Sequence, residues 1–345
     1  MKKYNVGIIG YGWVSGAHIA AINATTCAQV TAVYSSRPQD SAALRARHGG
    51  HITPYTDLAA MLADPNLHVI SVCSYPQQHA DHIVQAAEAG KHVIIEKPIT
   101  LTLEDARRVR RAVQQARVKT CVCFECRFSS QLLVTKAVID QGLLGKLHYG
   151  EVDYYHGIGP WYGQYRWNTQ VEAGGSSLLS AGCHAMDALL LCMGSTVESV
   201  TSQTTRSASE VFSSYQYPTT SVSILRFANG ALGKVASVID CLQPYYFHTH
   251  LVGSEGSLLD NKFHSNRLAV DKHRWSELSM KLLDSGDVSD HPYQMQFQAF
   301  FDALEKGDEM PLTSLEAAMP SHMAVLAADL SARENRPVRL AELSG

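Results

Sequence analysis

Residues His92-Val93-Ile94-Ile95-Glu96-Lys97-Pro98 pass from a short apolar run directly into an acid, a lysine and a proline. Near the start of the chain, Val6-Gly7-Ile8-Ile9-Gly10-Tyr11-Gly12-Trp13-Val14-Ser15-Gly16 runs from apolar residues into a glycine turn. There Gly10 permits the tight turn, and Gly12 lets backbone N–H groups approach a pyrophosphate at the N-terminus of the following helix. The third position of G-x-G-x-x-G is Ser15, with Gly16 beside it, and a small residue there still allows close helix–strand packing. A phosphate cradle at one strand end and a lysine at another point to a dinucleotide-dependent enzyme with Lys97 at its chemical centre. Gly10, Gly12, Trp13 and Val14 are the expected cofactor contacts of the turn.

The choice of dinucleotide turns on the end of the second strand. An NAD enzyme usually places an acid there to hold the ribose hydroxyls. Here the stretch is Tyr34-Ser35-Ser36-Arg37, with no acid before Asp40. Ser36 and Arg37 suit a 2′-phosphate, so the expectation is NAD(P), with NADP slightly preferred over NAD.

These loops need a scaffold, and the first 125 residues supply one. Strand candidates at Val6–Ile9, Val30–Tyr34, Val69–Cys73, His92–Ile95 and Thr120–Phe124 alternate with helix candidates near 13–24, 40–48, 56–63, 77–89 and 102–116. Thr102 with Asp105 resembles a capping pair, and Ala106, Val109, Val113 and Ala116 recur at helical spacing. Such alternation predicts an α/β fold with a doubly wound parallel sheet, the Rossmann architecture, over residues 1–125. The pattern then changes. A helix at 130–141 is followed by strand candidates at Leu147–Tyr155, 196–205, 219–227, 231–240 and 246–252, then by helices around Phe297–Leu304 and 313–333. Residues 126–345 are therefore expected to form an α+β domain with an open, largely antiparallel sheet.

Composition narrows the partners. A net charge of −3 favours neither nucleic acid nor an anionic membrane surface. Arg107, Arg108, Arg110 and Arg111 are expected to be the wet face of a helix. No apolar run approaches the roughly 20 residues that span a bilayer, and no signal peptide is evident, so a cytoplasmic location is expected. The eight cysteines read as thiols of a reducing compartment. Cys121, Cys123 and Cys126 lack a second Cys/His pair at zinc spacing, and strand alternation would turn Cys126 away from the other two. No metal site is expected there, nor at Cys183, His184 and Asp187.

Taken together, these residues resemble the Gfo/Idh/MocA oxidoreductases. The resemblance is carried by the glycine turn followed by His18, by Cys73-Ser74-Tyr75-Pro76 with His79, and by Gly90-Lys91-His92-Val93-Ile94-Ile95-Glu96-Lys97-Pro98. It continues through Arg127-Phe128, the segment from Gly174 to Asp187, Arg226-Phe227-Ala228-Asn229-Gly230 and Gly253-Ser254-Glu255-Gly256. It implies NAD(P)-dependent hydride transfer to or from a secondary hydroxyl or ketone of a sugar, cyclitol or related polyol. It also implies a homodimer or homotetramer formed through the C-terminal sheet. Ser74, Tyr75, Pro76, His79, Glu96, Lys97 and Arg127 join the expected cofactor set.

Oxidising a secondary alcohol requires departure of a hydride and removal of the hydroxyl proton. A lysine serves as that base only where its surroundings disfavour the charged form, as burial and a cationic nicotinamide ring both do. Lys97 and His184 are the expected catalytic residues. Glu96 is expected to orient the loop or a cofactor group, and Pro98 is a candidate for a cis bond. Helical spacing puts Ser180, His184 and Asp187 on one face. Many relatives carry an aspartate where Ser180 stands, and serine cannot ionise, which shifts the acid–base work onto Lys97 and His184. Substrate contacts are expected from Lys97, Tyr154, His156, Trp161, Arg166, Trp167, Ser180 and His184, with His291-Pro292-Tyr293 a weaker candidate. The alternative is a redox-neutral enzyme that oxidises a sugar transiently, then cleaves a glycoside or epimerises. A dinucleotide-sensing protein and a serine hydrolase fit less well, the first because Glu96-Lys97-Pro98 and His184 are intact, the second because no G-x-S-x-G elbow is present.

Overall fold

The computed structural model describes residues 3–343. Its elements in chain order are β1 (Tyr4–Ile9), α1 (Ser15–Ala24), β2 (Ala28–Tyr34), α2 (Ser41–His48), β3 (Thr53–Tyr55), α3 (Leu58–Leu62), β4 (Val69–Val72), α4 (Pro76–Glu88), β5 (His92–Ile95), α5 (Leu103–Ala116) and β6 (Thr120–Val122). There follow α6 (Ser130–Asp140), β7 (Leu147–Tyr155), α7 (Tyr165–Asn168), α8 (Val171–Gly174), α9 (Cys183–Met193), β8 (Val197–Thr205), β9 (Thr220–Phe227), β10 (Leu232–Val238) and β11 (Tyr246–Gly253). The chain ends with β12 (Gly256–Leu259), β13 (Lys262–Ser265), β14 (Ser276–Glu277), α10 (Tyr293–Lys306), α11 (Leu315–Glu334) and β15 (Val338–Arg339).

The chain divides into two compact units, residues 3–125 with 291–318, and residues 126–290 with 319–343. In the first, six parallel strands lie in the order β3-β2-β1-β4-β5-β6, the doubly wound arrangement. Every residue of β4 is buried, as a strand covered on both faces requires. The sixth strand, β3, lacks a sequence signal because Thr53-Pro54-Tyr55 carries a proline, which a sheet tolerates at its edge. The capping pair is present: Thr102 Oγ1 accepts from the Asp105 amide at 3.1 Å. The four arginines of α5 are exposed.

One division between the units falls between Glu125 and Cys126. Segment His291–Ala318 belongs with the first unit. The aromatic face of α10 explains this. Phe301 packs on Tyr4 of β1 with ring centroids 5.7 Å apart, and Phe297 packs on His18 of α1 at 5.0 Å. Burying such rings against β1 and α1 outweighs sequence proximity.

The second unit holds a nine-stranded sheet in the order β14-β13-β12-β11-β7-β10-β9-β8-β15. All its pairs are antiparallel except β10 with β7. One face is covered by α9, and the alternation of β9, buried at every second residue, marks the other face as open. Two sequence expectations need correction here. Cys126 lies in a short 3-10 turn, Glu125–Phe128, so strand alternation does not govern its direction. Residues Val171–Met193 do form a run of helices long and apolar enough to span a bilayer, but most of its apolar stretch is buried inside the protein.

Candidate active site

In the first unit the glycine turn opens where β1 ends. Gly10 has φ +91°, and a Cβ there would lie 2.8 Å from the Cys73 carbonyl oxygen and the Ser74 backbone. The close approach of two strand-end loops therefore depends on glycine. A Cβ on Gly12 would meet nothing within 4 Å, so open space lies over the start of α1. That helix has no side-chain cap, as suits a helix start that receives a phosphate. Trp13 and Tyr75 stand exposed beside the turn, at 37% and 51%. The open space over this cradle and its uncapped helix start fit a dinucleotide, which Gly10, Gly12, Trp13, Val14, Ser74 and Tyr75 would hold. At the end of β2, Ser36 and Arg37 are exposed. Asp40, the first acid after that strand, caps α2 by accepting from the Ala43 amide at 2.8 Å.

The Glu96-Lys97-Pro98 turn is built on a buried carboxylate. Glu96 Oε1 accepts from His18 Nε2 and from Tyr293 OH, each at 2.8 Å, and Oε2 accepts from the Lys97 amide at 2.9 Å. These partners make Glu96 an anchor for the loop, the first of its two expected roles. The Lys97–Pro98 peptide is cis. Lys97 is half-buried. Burial raises a carboxyl pKa, but the His18 and Lys97 charges and the hydrogen bonds hold Glu96 down at about 2. Burial likewise works against a charge on His18, yet the Cys73 sulfur and the Glu96 carboxylate raise it to about 10.

This pair makes stability pH-dependent with a defined sign. Glu96, lowered from 4.5, contributes fully above pH 4.5 and loses its contribution as pH falls toward 2. His18, raised from 6.5, contributes fully below pH 6.5 and loses its contribution as pH rises through about 10. Urea midpoints measured across pH will therefore show a Glu96→Gln variant losing most against the parent between pH 4.5 and 6.5, with the gap narrowing on both sides. Parallel curves over the whole range would show that the pair carries no such linkage.

Two residues expected near cofactor or substrate, His79 and Tyr293, are buried within the first unit. His79 is 1% exposed, its Nδ1 2.8 Å from the Pro98 carbonyl and its Nε2 3.0 Å from the Ser74 carbonyl. Burial works against a charge on this ring, which lies between the two loops and braces them from behind. Tyr293, expected near substrate, is buried behind Glu96. His291 lies 3.2 Å from Glu125, also within the first unit.

In the second unit, β7 presents Tyr154 and His156 on one face, with Tyr154 OH 3.1 Å from His156 Nδ1. Asp153 turns the other way and pairs with Lys234 at 2.7 Å. His184, 3% exposed in the first turn of α9, stacks on Tyr154 with centroids 6.4 Å apart. Before it, residues Leu178–Gly182 wind as a π-helical turn, wider than the α-helical spacing the sequence suggested. Ser180 is buried in that turn, 3.5 Å from Tyr217 OH. His156 and Trp161 line a cavity of about 450 Å³ with Gly157, Tyr162, Leu242 and Tyr245. Trp161 is 63% exposed. Arg166 and Trp167, in α7, are outside that lining.

Sequence reasoning missed Tyr245 and Tyr217. Register could have found the first: Tyr246 pairs with Tyr155, which sets Tyr245 level with His156. Arg127 is also reassigned. Its Nε and Nη2 donate to Asp187 Oδ2 and Oδ1 at 2.8 and 2.5 Å, a buried bidentate pair. A guanidinium whose fork faces a carboxylate is not a bidentate clamp for a cofactor phosphate.

Comparison with known proteins agrees with this geometry. Residues 4–124 match the family model described as "Oxidoreductase family, NAD-binding Rossmann fold", and residues 132–259 match the GFO/IDH/MocA C-terminal domain. Myo-inositol 2-dehydrogenase of Thermotoga maritima is 24% identical over 340 residues, covering 99% of both chains. Levoglucosan dehydrogenase of Pseudarthrobacter phenanthrenivorans is 26% identical over 301 residues, 78% of this chain and 76% of that one. The crystal structure of scyllo-inositol dehydrogenase from Lactobacillus casei with NAD(H) and scyllo-inositol superposes with a TM-score of 0.81 at 19% identity, covering 99% of this chain and 100% of that one. A glycine cradle on a doubly wound sheet, a carboxylate-anchored lysine turn and a matching sheet domain thus place this chain in the Gfo/Idh/MocA family of NAD(P)-dependent oxidoreductases.

Proposed function

We propose that the protein oxidises a secondary hydroxyl of a sugar, cyclitol or related polyol, with Lys97 and His184 carrying the proton transfers. The observation that supports this reading most is the wall of Tyr154, His156, Tyr162, Tyr245 and His184 in the second unit. Aromatic faces interleaved with imidazoles match a ring that has apolar C–H patches and a hydroxyl rim. The named relatives act on inositol and levoglucosan, substrates of that class. The nicotinamide, when bound, supplies the hydride acceptor. Lys97 takes the hydroxyl proton, and Glu96 fixes its backbone. His184 and Tyr154 orient the hydroxyl, and Ser180 adds a hydrogen bond without an ionisable group.

NADP is the proposed preference. Arg37 and Ser36 are exposed at the end of β2, and Asp40 is occupied as a helix cap, which leaves no acid placed for the ribose hydroxyls. The relative crystallised with NAD(H) is similar in fold alone and does not decide the matter. Removing a charge-assisted phosphate contact costs about 1.5–3 kcal/mol. Arg37→Ala should therefore weaken NADP binding by about tenfold or more and leave NAD within about twofold. Equal weakening of both, measured by fluorescence titration, would remove Arg37 from cofactor selection.

A homodimer or homotetramer through the C-terminal sheet is also proposed. Val222, Ile224, Leu232 and Tyr246 are exposed on its open face. All eight cysteines are free thiols, which supports a reducing, cytoplasmic location. The test of function is a panel of polyols and glycosides with NAD and NADP, followed for reduced cofactor and for released aglycone. Reduced cofactor with a polyol supports the dehydrogenase reading. Aglycone release without reduced cofactor would replace it with the redox-neutral one.

A further inference from the structure

The open face of the nine-stranded sheet carries a cluster that the proposed reaction does not use. In β11, His248 and His250 are two residues apart and project from the same face. Register places His250 opposite Glu151 of β7, and His248 opposite Asp153. Glu151, His248 and His250 each bring one ligand atom within 4.8 Å of the others. Ligand atoms around tetrahedral zinc stand about 3.3 Å apart, a gap that small rotations of these half-buried side chains close.

The hydrogen bonds fix which nitrogen of His248 is available. Tyr246 OH has one proton and gives it to Asp260 Oδ2 at 2.7 Å. The 2.9 Å contact between Tyr246 OH and His248 Nδ1 is therefore donated by the imidazole, whose Nδ1 also lies 3.4 Å from Asp260 Oδ1. That tautomer leaves the Nε2 lone pair free of the proton. A carboxylate behind one nitrogen of a histidine, with the other facing outward, is the arrangement that orients histidines toward metals. Charge agrees. Glu151, Asp153 and Asp260 contribute three carboxylates against the single ammonium of Lys234, 2.6 Å from Glu151 and 2.7 Å from Asp153. The excess of two negative charges matches a divalent cation.

We propose that Glu151, His248 and His250 form a binding site for a divalent transition-metal ion of the zinc class, joining β7 to β11 on the open sheet face, with Asp260 and Tyr246 orienting His248. Two imidazoles and one carboxylate leave a fourth position for water or another ligand. Glu151 Oε1 accepts from Lys234 and Oε2 from Tyr149 OH at 2.9 Å, and the second lone pair of either oxygen serves the ion.

The test uses the full chain, stripped with a chelator and dialysed against Zn²⁺, with metal content and Co²⁺ absorption as readouts. One equivalent of Zn²⁺ per chain is expected, with visible Co²⁺ bands of a low-coordinate site. His250→Asn and His248→Asn should each weaken binding at least tenfold, and Tyr246→Phe about tenfold through loss of the orienting contact. Dinucleotide binding, which belongs to the other unit, should be unchanged and reports intact folding. Glu151→Gln, with both imidazoles in place, stands in for any histidine variant that fails to fold. Absence of Zn²⁺ binding, or binding indifferent to these substitutions, such as capture at the buried His18, Glu96 and Cys123 cluster, would overturn the proposal.

Discussion

Lys97→Ala lowers turnover by about 10²–10⁴-fold while dinucleotide affinity stays within about threefold. That range is what a positioned proton acceptor contributes. Affinity survives because the cradle is made by Gly10, Gly12 and the start of α1, elements that do not depend on the lysine side chain. Lys97→Arg gives no rescue, since a guanidinium does not surrender its proton in the working range. Stopped-flow measurement of reduced cofactor separates chemistry from product release. Turnover within threefold of the parent would remove Lys97 from the reaction. A parallel collapse of dinucleotide binding would instead mark it as part of the cradle.

The second large effect is on stability. Asp187→Ala leaves the Arg127 guanidinium 7% exposed with its bidentate partner gone. Breaking such a pair from one side costs about 3–5 kcal/mol, because the remaining charge stays buried after its carboxylate is gone. Urea denaturation of the second unit reads this directly. The double variant Arg127→Met with Asp187→Leu should lose less than Asp187→Ala alone, because it removes the buried charge together with its partner. A single-variant loss below about 1 kcal/mol would mean that the guanidinium finds water or another acceptor.

The residues proposed to do chemistry stand at strand ends, where local rules place them. Gly10 is required by a positive φ, Lys97 by the abrupt end of a buried strand, and the Tyr154/His156 face by two-residue alternation along β7. The parallel order of the first sheet followed from strand–helix alternation for the same reason. The buried partners of Arg127 and His79 were not legible because the motif neighbours of both are cofactor-loop residues. Their partners, Asp187 and the carbonyls of Ser74 and Pro98, lie 60 residues away for the first and up to 19 for the second. Nothing local distinguishes an arginine aimed at phosphate from one aimed at a buried carboxylate.

The sequence alone determined the doubly wound sheet, the nucleotide turn and the family, since each is written in short-range spacing of glycine, proline and apolar residues. Tertiary structure alone decided that α10 belongs with the first unit, that Tyr293 and His18 jointly anchor Glu96, and that His250 faces Glu151 across two strands. Those pairings join residues 78, 197 and 99 positions apart, through burial of rings and register of strands. Such contacts come from the free energy of the packed chain as a whole, and no window of sequence contains both partners.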